Sequence, residues 1–446
     1  MDMVIIFLIV TFLFLLSGFP VAFILSGVSL LFAFIGIIFN FFDYSFLMAF
    51  PARLFGVMGN QNLLAVPLFI FMGLILEKTK IAENLIHDMN ILFNNSNSGL
   101  AVSVVVVGAL MAASTGIVGA SVVTLGLLTY PVLTKNGYSP SIASGTICAS
   151  GTLGQIIPPS LVLILLADVL SSSYQQAQLN IGIFNPESIT IADLFLGAIL
   201  PGLILPVLYI IYLKSLRIKN ENTALINKKL NIFSVIYPLG LMLIVLGSII
   251  FGIATPSEAA GIGALGAILL AYAQNNLSKL VLDKCVFESI KLTSMVFMIL
   301  IGAILFSLVF RGLEGEEFIH KFLVEMPDDK FMTLIIVLLI MFFLGFILDF
   351  IEIIFIVIPL IGPALFTLGF DPLWIGILIA LVLQTSFITP PFGFSLFYLR
   401  GVLPKNVQTI EIYKGIVPFL MIQIFLVVIV FMFPNLATAL PEMLLK

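Results

Sequence analysis

Charged residues are scarce in this chain. Only 9% of its 446 residues are Asp, Glu, Lys or Arg, whereas an ordinary soluble domain carries roughly 25%. Hydrophobic residues make up 61% of the sequence, and the mean hydropathy is +1.24. This composition excludes a soluble globular protein and predicts one that crosses a membrane several times.

Residues that form disulfides or bind transition metals are equally rare. The chain has two cysteines, Cys148 and Cys285, and two widely separated histidines, His87 and His320. A disulfide framework, a zinc site or a haem site has almost no residues to use. The 19 basic residues are scattered over short connections, which excludes nucleic-acid binding. An intramembrane enzyme needs a catalytic set such as Ser with His, so we expect no enzymatic activity.

Long apolar segments recur along the chain, and a spanning helix needs about 20 such residues. The plain spans are predicted at residues 4–17, 20–39, 62–77, 191–213, 230–252, 257–275, 291–310 and 412–433. Four further apolar stretches, 98–113, 121–134, 140–170 and 331–400, are interrupted by Gly, Ser, Thr and Pro. The first segment has Asp2 and no basic residue before it, which indicates a retained helix and not a cleaved signal.

The distribution of basic residues predicts the orientation. The connection at 214–229 carries five basic residues: Lys214, Arg217, Lys219, Lys228 and Lys229. The positive-inside rule places this connection in the cytoplasm, and alternation of the spans then leaves most other basic residues, including Lys80, inside as well. Both termini, including Lys446, are therefore predicted to be periplasmic.

An internal repeat relates the two halves of the chain. A shift of about 232 residues aligns several rare residues: Pro131 with Pro363, Gly137 with Gly369, Tyr138 with Phe370, Pro140 with Pro372, and Pro158 and Pro159 with Pro390 and Pro391. With the predicted orientation, the copies enter the membrane from opposite sides. We therefore predict two inverted repeats, 1–229 and 230–446, which is the architecture of secondary transporters.

Each predicted repeat contains an interrupted hairpin and a broken helix. The hairpins are expected at about 98–134 and 331–368, and the broken helices at about 140–170 and 373–400. The fold class is thus all-α and polytopic, with two re-entrant helical hairpins and two broken helices. Non-helical backbone is tolerated at membrane depth only where it is buried in protein or lines a cavity.

The first hairpin tip, 112–124, breaks an apolar run with Ser114, Thr115, Gly116, Gly119 and Ser121. Backbone carbonyls freed at such a tip, helped by hydroxyls, suit a hard cation such as Na⁺. The alternative is that these small residues only allow close helix packing.

Adjacent prolines mark both broken helices, in GTLGQIIPPS (151–160) and QTSFITPPFGFS (384–395). Proline lacks the N–H donor and disfavours helix in the residue before it, so preceding carbonyls lose their helical partners. Thr152, Thr385 and Thr389 can add side-chain oxygens to these carbonyls. Half-helix N-termini at the breaks can face an anionic substrate. A kink with only a packing role is the alternative.

The second hairpin tip contains two carboxylates, Asp349 and Glu352, within apolar sequence. An intramembrane carboxylate is a candidate functional residue by default. At a spacing of three they are predicted to share a helical face. They can coordinate a cation, exchange a proton or accept hydrogen bonds from backbone N–H groups in the hairpin.

Other polar residues receive structural explanations. Thr255 and Glu258 fit a capping box with Pro256 at the first helical position. The segments 80–95 and 311–329 are amphipathic and are predicted to lie along the interface with their histidines. Arg400 is expected at the inner boundary, as a positive-inside anchor or as an attraction for an anionic substrate.

These motifs together resemble one family. The stretches SGFPVAF, VPLFIFMG, STGIVGAS, GTLGQIIPPS, TPSEAAGIGA, LGFILD and TPPFGFSLFYLRGV occur along nearly the whole chain. The sequence resembles the large membrane subunit of tripartite ATP-independent periplasmic (TRAP) transporters, the DctM-like family. The resemblance implies an elevator mechanism, Na⁺ as coupling ion with no other cofactor, and location in the bacterial inner membrane. It also implies a separate small DctQ-like membrane subunit and a periplasmic DctP-like substrate-binding protein.

The resemblance also implies site residues. The predicted ion-binding residues are Ser114, Gly116, Gly119, Ser121, Gly151, Thr152, Gly345, Asp349, Thr385 and Thr389. The predicted substrate-binding residues are Ser114, Thr115, Gln155, Pro158, Pro159, Pro390 and Pro391. The expected substrate is a small organic anion, a carboxylate such as a 2-oxo acid. A stand-alone Na⁺/carboxylate symporter without a binding protein is the alternative function.

Overall fold

The computed structural model of the chain describes residues 2–79, 81–93, 98–115, 118–218, 233–324 and 329–445. Every regular element among these residues is helical. Several residues used in the predictions lie outside the described residues: Lys80, Gly116, Lys219, Lys228, Lys229 and Lys446. The backbone at Ser114, Thr115 and His320 is helical, and their side chains are not described.

The first half of the chain contains α1 (Asp2–Leu15), α2 (Val21–Ile38), α3 (Ser45–Met48), α4 (Phe50–Met58), α5 (Ala65–Lys78), α6 (Ile81–Phe93), α7 (Gly99–Thr115), α8 (Val118–Lys135), α9 (Pro140–Gly151), α10 (Leu161–Asn180) and α11 (Ile191–Ser215). The second half contains α12 (Phe233–Ile250), α13 (Pro256–Ala273), α14 (Lys279–Gly312), α15 (Gly315–Val324), α16 (Lys330–Leu344), α17 (Phe350–Glu352), α18 (Ile358–Thr367), α19 (Pro372–Ile388), α20 (Phe394–Val402), α21 (Thr409–Met432) and α22 (Asn435–Leu444).

The eight predicted plain spans all coincide with helices, namely α1, α2, α5, α11, α12, α13, α14 and α21. Helix α14 begins at Lys279, well before the predicted residue 291, because the Lys, Leu and Glu residues of its first turns are good helix formers. Helices α1 and α5 have 14 residues each. At 1.5 Å per residue this is about 21 Å, less than the hydrocarbon thickness of about 30 Å.

By length and composition, seven helical segments of the described chain are candidate membrane spans. They are Val21–Ile38, Val118–Lys135, Ile191–Ser215, Pro256–Ala273, Lys279–Gly312, Phe350–Thr367 and Thr409–Met432. The fold is therefore all-α and polytopic, as predicted. Two of these segments are the second arms of the predicted hairpins, and their re-entrant course in the membrane stays a prediction.

The chain divides into two compact units that interleave along the sequence. Unit 1 comprises Met1–Leu63, Leu165–Thr190 and Lys291–Gly376, and unit 2 comprises Leu64–Ile164, Ile191–Ile290 and Ile377–Lys446. These units do not test the repeat boundaries at 229 and 230, which stay a prediction.

An aromatic cluster forms part of the core of unit 1. The Phe7 ring stacks on Phe306 with centroids 4.9 Å apart and meets Phe32 edge-on at 5.1 Å. Offset and edge-on arrangements of this kind add to the stabilisation from apolar burial. They hold together α1, α2 and the C-terminal part of α14.

Helix α9 is the centre of unit 2. It packs against α21 and against both α7 and α8. A Cβ placed on Gly145 of α9 would overlap the carbonyl oxygen of Gly415 in α21, and one placed on Gly415 would overlap the carbonyl oxygen of Ser141. The two helices therefore cross in backbone contact, which only glycine permits at these positions.

Local structure repeats at the positions that the sequence shift aligns. Gly137 and Gly369 both have positive φ, at 85° and 80°, directly before the helices that start at Pro140 and Pro372. The Pro158–Pro159 and Pro390–Pro391 bonds are both cis. Proline at the first helical position and glycine in a left-handed turn have the same local role in both halves.

The predicted capping box at the start of α13 is confirmed. The Glu258 carboxylate accepts a hydrogen bond from the Thr255 backbone N–H at 2.8 Å, and the Thr255 hydroxyl accepts one from the Glu258 N–H at 3.4 Å. The predicted amphipathic segments contain helices α6 and α15. Their interfacial position stays a prediction.

Candidate functional site

The first broken helix runs through α9 and α10. Ser139 caps α9 by accepting a hydrogen bond from the Ile142 N–H at 3.3 Å, and the helix ends at Gly151. A 3₁₀ turn at Leu153–Gln155 and an irregular segment through the two prolines follow, and α10 begins at Leu161. The hydroxyl of Ser160 donates to the Gln155 carbonyl at 3.1 Å, and this hydrogen bond joins the two ends of the irregular segment. The predicted interruption is therefore present.

The second broken helix runs through α19 and α20. Helix α19 ends at Ile388, and α20 begins at Phe394 after the proline pair. The Ser395 hydroxyl spans this break by donating to the Phe387 carbonyl at 2.8 Å. The Ser395 carbonyl accepts a hydrogen bond from the Cys148 thiol at 3.7 Å. Helices α9 and α20 therefore meet beside the second break.

Helix α8, which follows the first predicted tip, packs on α20. A Cβ on Gly119 would lie 3.1 Å from the Tyr398 ring, and one on Gly126 would lie 2.8 Å from Leu399. Gly151 faces Val122 of α8 in the same close manner. One packed region of unit 2 therefore contains Gly119, Ser121, Gly151 and Thr152. Within this region, Ser121 and Thr152 are fully buried.

Three predicted threonines share one hydrogen-bonding pattern. The hydroxyls of Thr152, Thr385 and Thr389 donate to the carbonyls of Ala149, Leu381 and Thr385 at 2.9, 2.7 and 2.7 Å. A hydroxyl that donates its proton backwards keeps its oxygen lone pairs available. Such oxygens suit a hard cation like Na⁺. The donor set at the two breaks therefore fits the predicted ion chemistry.

The two carboxylates of the second tip come together as a helix cap in unit 1. The backbone N–H of Asp349 donates to Glu352 at 3.0 Å, and the Asp349 carboxylate accepts from the Phe350 N–H at 2.7 Å. The spacing of three brings both carboxylates to the start of one helix, where Asp349 is the N-cap with extended backbone geometry and Glu352 is the third helical residue. Gly345 ends the preceding helix, α16. Hydrogen bonding to the backbone, one of the three roles predicted for Glu352, is confirmed, and the other two stay predictions.

The predicted site residues divide between the two units. Gly345 and Asp349 belong to unit 1. Unit 2 holds the described members at both breaks and in α8, namely Gly119, Ser121, Gly151, Thr152, Gln155, Pro158, Pro159, Thr385, Thr389, Pro390 and Pro391. Gly116 lies outside the described residues, and the side chains of Ser114 and Thr115 are not described.

Arg400 contacts the backbone near the end of α20. Its guanidinium donates to the Val407 carbonyl at 2.5 Å. This bond ties the helix end to the loop that leads into α21. It gives Arg400 a structural role in the described chain.

Two polar residues of apolar runs escaped the sequence analysis. Gln384 is fully buried next to Thr385, and its amide has no hydrogen-bond partner among the described residues. Asp168 lies within the apolar first half of α10 and accepts a hydrogen bond from the Asn60 amide at 2.7 Å. The criterion that selected Asp349, a polar residue inside an apolar run, would have found both.

Replacing Asn60 with alanine is expected to destabilise the protein by about 1 kcal/mol, because Asp168 loses its 2.7 Å donor and keeps a second one, the Asn62 side chain. Thermal unfolding in detergent should show a lower Tm. Gln61→Ala removes a neighbouring exposed amide and should change stability by about 0.5 kcal/mol or less. Equal Tm values for the two variants would contradict a stabilising role for the bond.

The all-α fold with several candidate spans and two helices broken at paired prolines defines a polytopic membrane transporter. The family model described as "Tripartite ATP-independent periplasmic transporter, DctM component" matches residues 8–436. The chain belongs to this family, and its function class is the large permease subunit of a TRAP transporter. The relatives are transporter permeases and not enzymes, as the sequence predicted.

Individual relatives and a solved structure agree. The chain is 29% identical over 403 residues to the C4-dicarboxylate TRAP transporter large permease protein DctM of Pseudomonas aeruginosa, covering 88% of this chain and 89% of that protein. It is 27% identical over 450 residues to the ectoine/5-hydroxyectoine TRAP transporter large permease protein UehC of Ruegeria pomeroyi, with 96% of each chain covered. The crystal structure of the YdaH transporter of Alcanivorax borkumensis matches with a TM-score of 0.65 at 13% identity, covering 89% of this chain and 90% of that one. The last similarity concerns the fold alone.

Proposed function

We propose that this permease imports a small organic anion, a carboxylate, by Na⁺ symport. It works in the bacterial inner membrane with a small DctQ-like membrane subunit and a periplasmic DctP-like binding protein, and both termini face the periplasm. An elevator movement carries the substrate across the lipid bilayer. Na⁺ is the coupling ion, and no other cofactor takes part.

The observation that carries this proposal is the pair of broken helices. Helices α9 and α19 both end shortly before a proline pair, and a threonine hydroxyl with available lone pairs lies near each break. In secondary transporters, broken helices supply carbonyls and dipole ends for ions and anionic substrates. In the proposal, Ser121, Thr152, Thr385 and Thr389 supply oxygen ligands within unit 2, and Asp349 supplies a carboxylate oxygen within unit 1.

The names of the relatives support an organic solute and leave its identity open. They include permeases for C4-dicarboxylates, for ectoine and for isethionate. C4-dicarboxylates and ectoine carry carboxylate groups, and isethionate carries a sulfonate. A carboxylate is therefore the substrate class that we propose, and a 2-oxo acid is the example that the sequence favours.

Uptake into proteoliposomes tests this function. The permease and its small subunit are reconstituted, and uptake of labelled organic acids is measured with and without an inward Na⁺ gradient and the binding protein. We expect uptake only when both are present. Uptake with Na⁺ alone would instead support the stand-alone symporter, and uptake that ignores Na⁺ would contradict sodium coupling.

A further inference from the structure

Two glutamine amides beside the helix breaks have no partners. Gln155 lies in the 3₁₀ turn before Pro158–Pro159, and Gln384 lies in the last turns of α19 before Pro390–Pro391. Both side chains are fully buried in unit 2. Neither the Nε2 nor the Oε1 atom of either amide has a hydrogen-bond partner among the described residues.

This condition is unusual within the protein itself. Buried Gln178 has both amide atoms paired, since it donates to the Glu187 carbonyl at 3.0 Å and accepts from the Glu187 N–H at 2.9 Å. Buried Gln423 donates to the Tyr209 hydroxyl at 2.8 Å, so that one of its two amide atoms, Oε1, is left without a partner among the described residues. Native structures pair most buried polar side chains with protein or water, so two doubly unpaired amides indicate a polar ligand.

The chemistry of an amide restricts that ligand. Each amide offers N–H donors and one carbonyl acceptor, whereas an ionised carboxylate only accepts hydrogen bonds. A carboxylate can therefore satisfy the Nε2 group of either glutamine and leaves the Oε1 atom of that glutamine unpaired. A hydroxyl on the same ligand supplies the missing donor. An acid without a hydroxyl, including a 2-oxo acid, has no donor of this kind at neutral pH.

We propose that the amides of Gln155 and Gln384 bind the transported acid and select one that carries a hydroxyl group. This inference rests on the proposed function and narrows its substrate class from carboxylates in general to hydroxy acids. Gln155 was predicted to contact substrate, and Gln384 is a new specificity-determining residue. A hydroxy acid replaces the 2-oxo acid as the favoured example.

Binding of each acid is measured directly on the complex of the two membrane subunits, without the binding protein. A hydroxyl preference found in this way belongs to the membrane complex and not to the binding protein. The dissociation constants are measured in NaCl by ligand-induced thermal stabilisation. The probes are matched pairs: lactate with pyruvate, malate with succinate, and gluconate with hexanoate. In at least one pair, we expect the hydroxylated acid to bind at least about tenfold more tightly than its partner. The acid without the hydroxyl leaves buried polar groups of the protein unpaired, which weakens its binding.

Methionine variants locate the preference. Gln384→Met and Gln155→Met keep the approximate side-chain volume and remove the amide, so each should reduce the hydroxyl preference to near unity. Gln423→Met is the matched control, since Gln423 is equally buried in unit 2 but lies within α21, where its amide donates to the Tyr209 hydroxyl. Both acids of a pair are measured on the same preparation of a variant. The ratio of their dissociation constants therefore does not depend on the fraction of folded protein.

The outcomes separate this inference from the proposed function. If no acid of the panel binds in NaCl, the proposed function fails and the inference fails with it. If acids bind without a hydroxyl preference, only the inference fails. It also fails if the preference survives in both variants at the breaks, or if Gln423→Met abolishes it equally.

Discussion

A Gly415→Ala variant is expected to lose about 3 kcal/mol or more of stability, close to the upper end of what overpacking costs. The added methyl group would meet the Ser141 carbonyl in the backbone contact between α21 and α9. A backbone carbonyl within a helix cannot rotate away as a flexible side chain can. We expect a large fall in Tm and in the yield of monodisperse protein, measured by size-exclusion chromatography after heating.

The control for this variant is Gly401→Ala. Gly401 also lies within a helix, α20, and a Cβ there meets nothing within 4 Å. Because alanine favours a helix over glycine by about 1 kcal/mol, this control should be neutral or slightly stabilising. A similar Tm for both variants would show that α9 and α21 can separate at low cost.

An Asp349→Asn variant is expected to need at least about tenfold more Na⁺ for half-maximal uptake. The reason is that the affinity of a cation site depends on the charge of the ligands. Asparagine and aspartate are equally good helix N-caps, so the cap at α17 should survive. The substitution therefore removes the charge and preserves the local structure. The measurement is uptake by proteoliposomes as a function of Na⁺ concentration, together with Tm.

The matched variant is Glu352→Gln, which also removes one carboxylate from the same cap. Its side-chain oxygen can still accept the Asp349 N–H, so we expect a smaller effect on Na⁺ activation. Unchanged Na⁺ activation in Asp349→Asn would remove Asp349 from the ion site. An equal loss in both variants would assign the effect to the cap and not to ion binding.

The sequence predicted the features that depend on rare residues. Paired prolines cannot continue a helix, so both breaks were predictable from Pro158 and Pro390 alone. The glycines with positive φ, Gly137 and Gly369, follow from the same repeat. These residues determine local backbone geometry, and local geometry is what a sequence pattern expresses most directly.

Features that depend on tertiary contacts were not predictable. Nothing in the sequence indicates that Gly145 and Gly415 face each other, since they are distant in the chain. Asp349 was placed on a helical face because its spacing from Glu352 fits both a helical pair and a cap. Gln384 stands out only once its burial and its lack of partners are known.

The two cysteines have a practical consequence for labelling. Cys148 and Cys285 are both fully buried, and their thiols lie against the carbonyls of Ser395 and Leu74. Maleimides react with accessible thiolates, so the native chain should give little background. A fluorophore or spin label could therefore be attached through one introduced cysteine, for example at the highly exposed Phe184, without first removing the natural thiols.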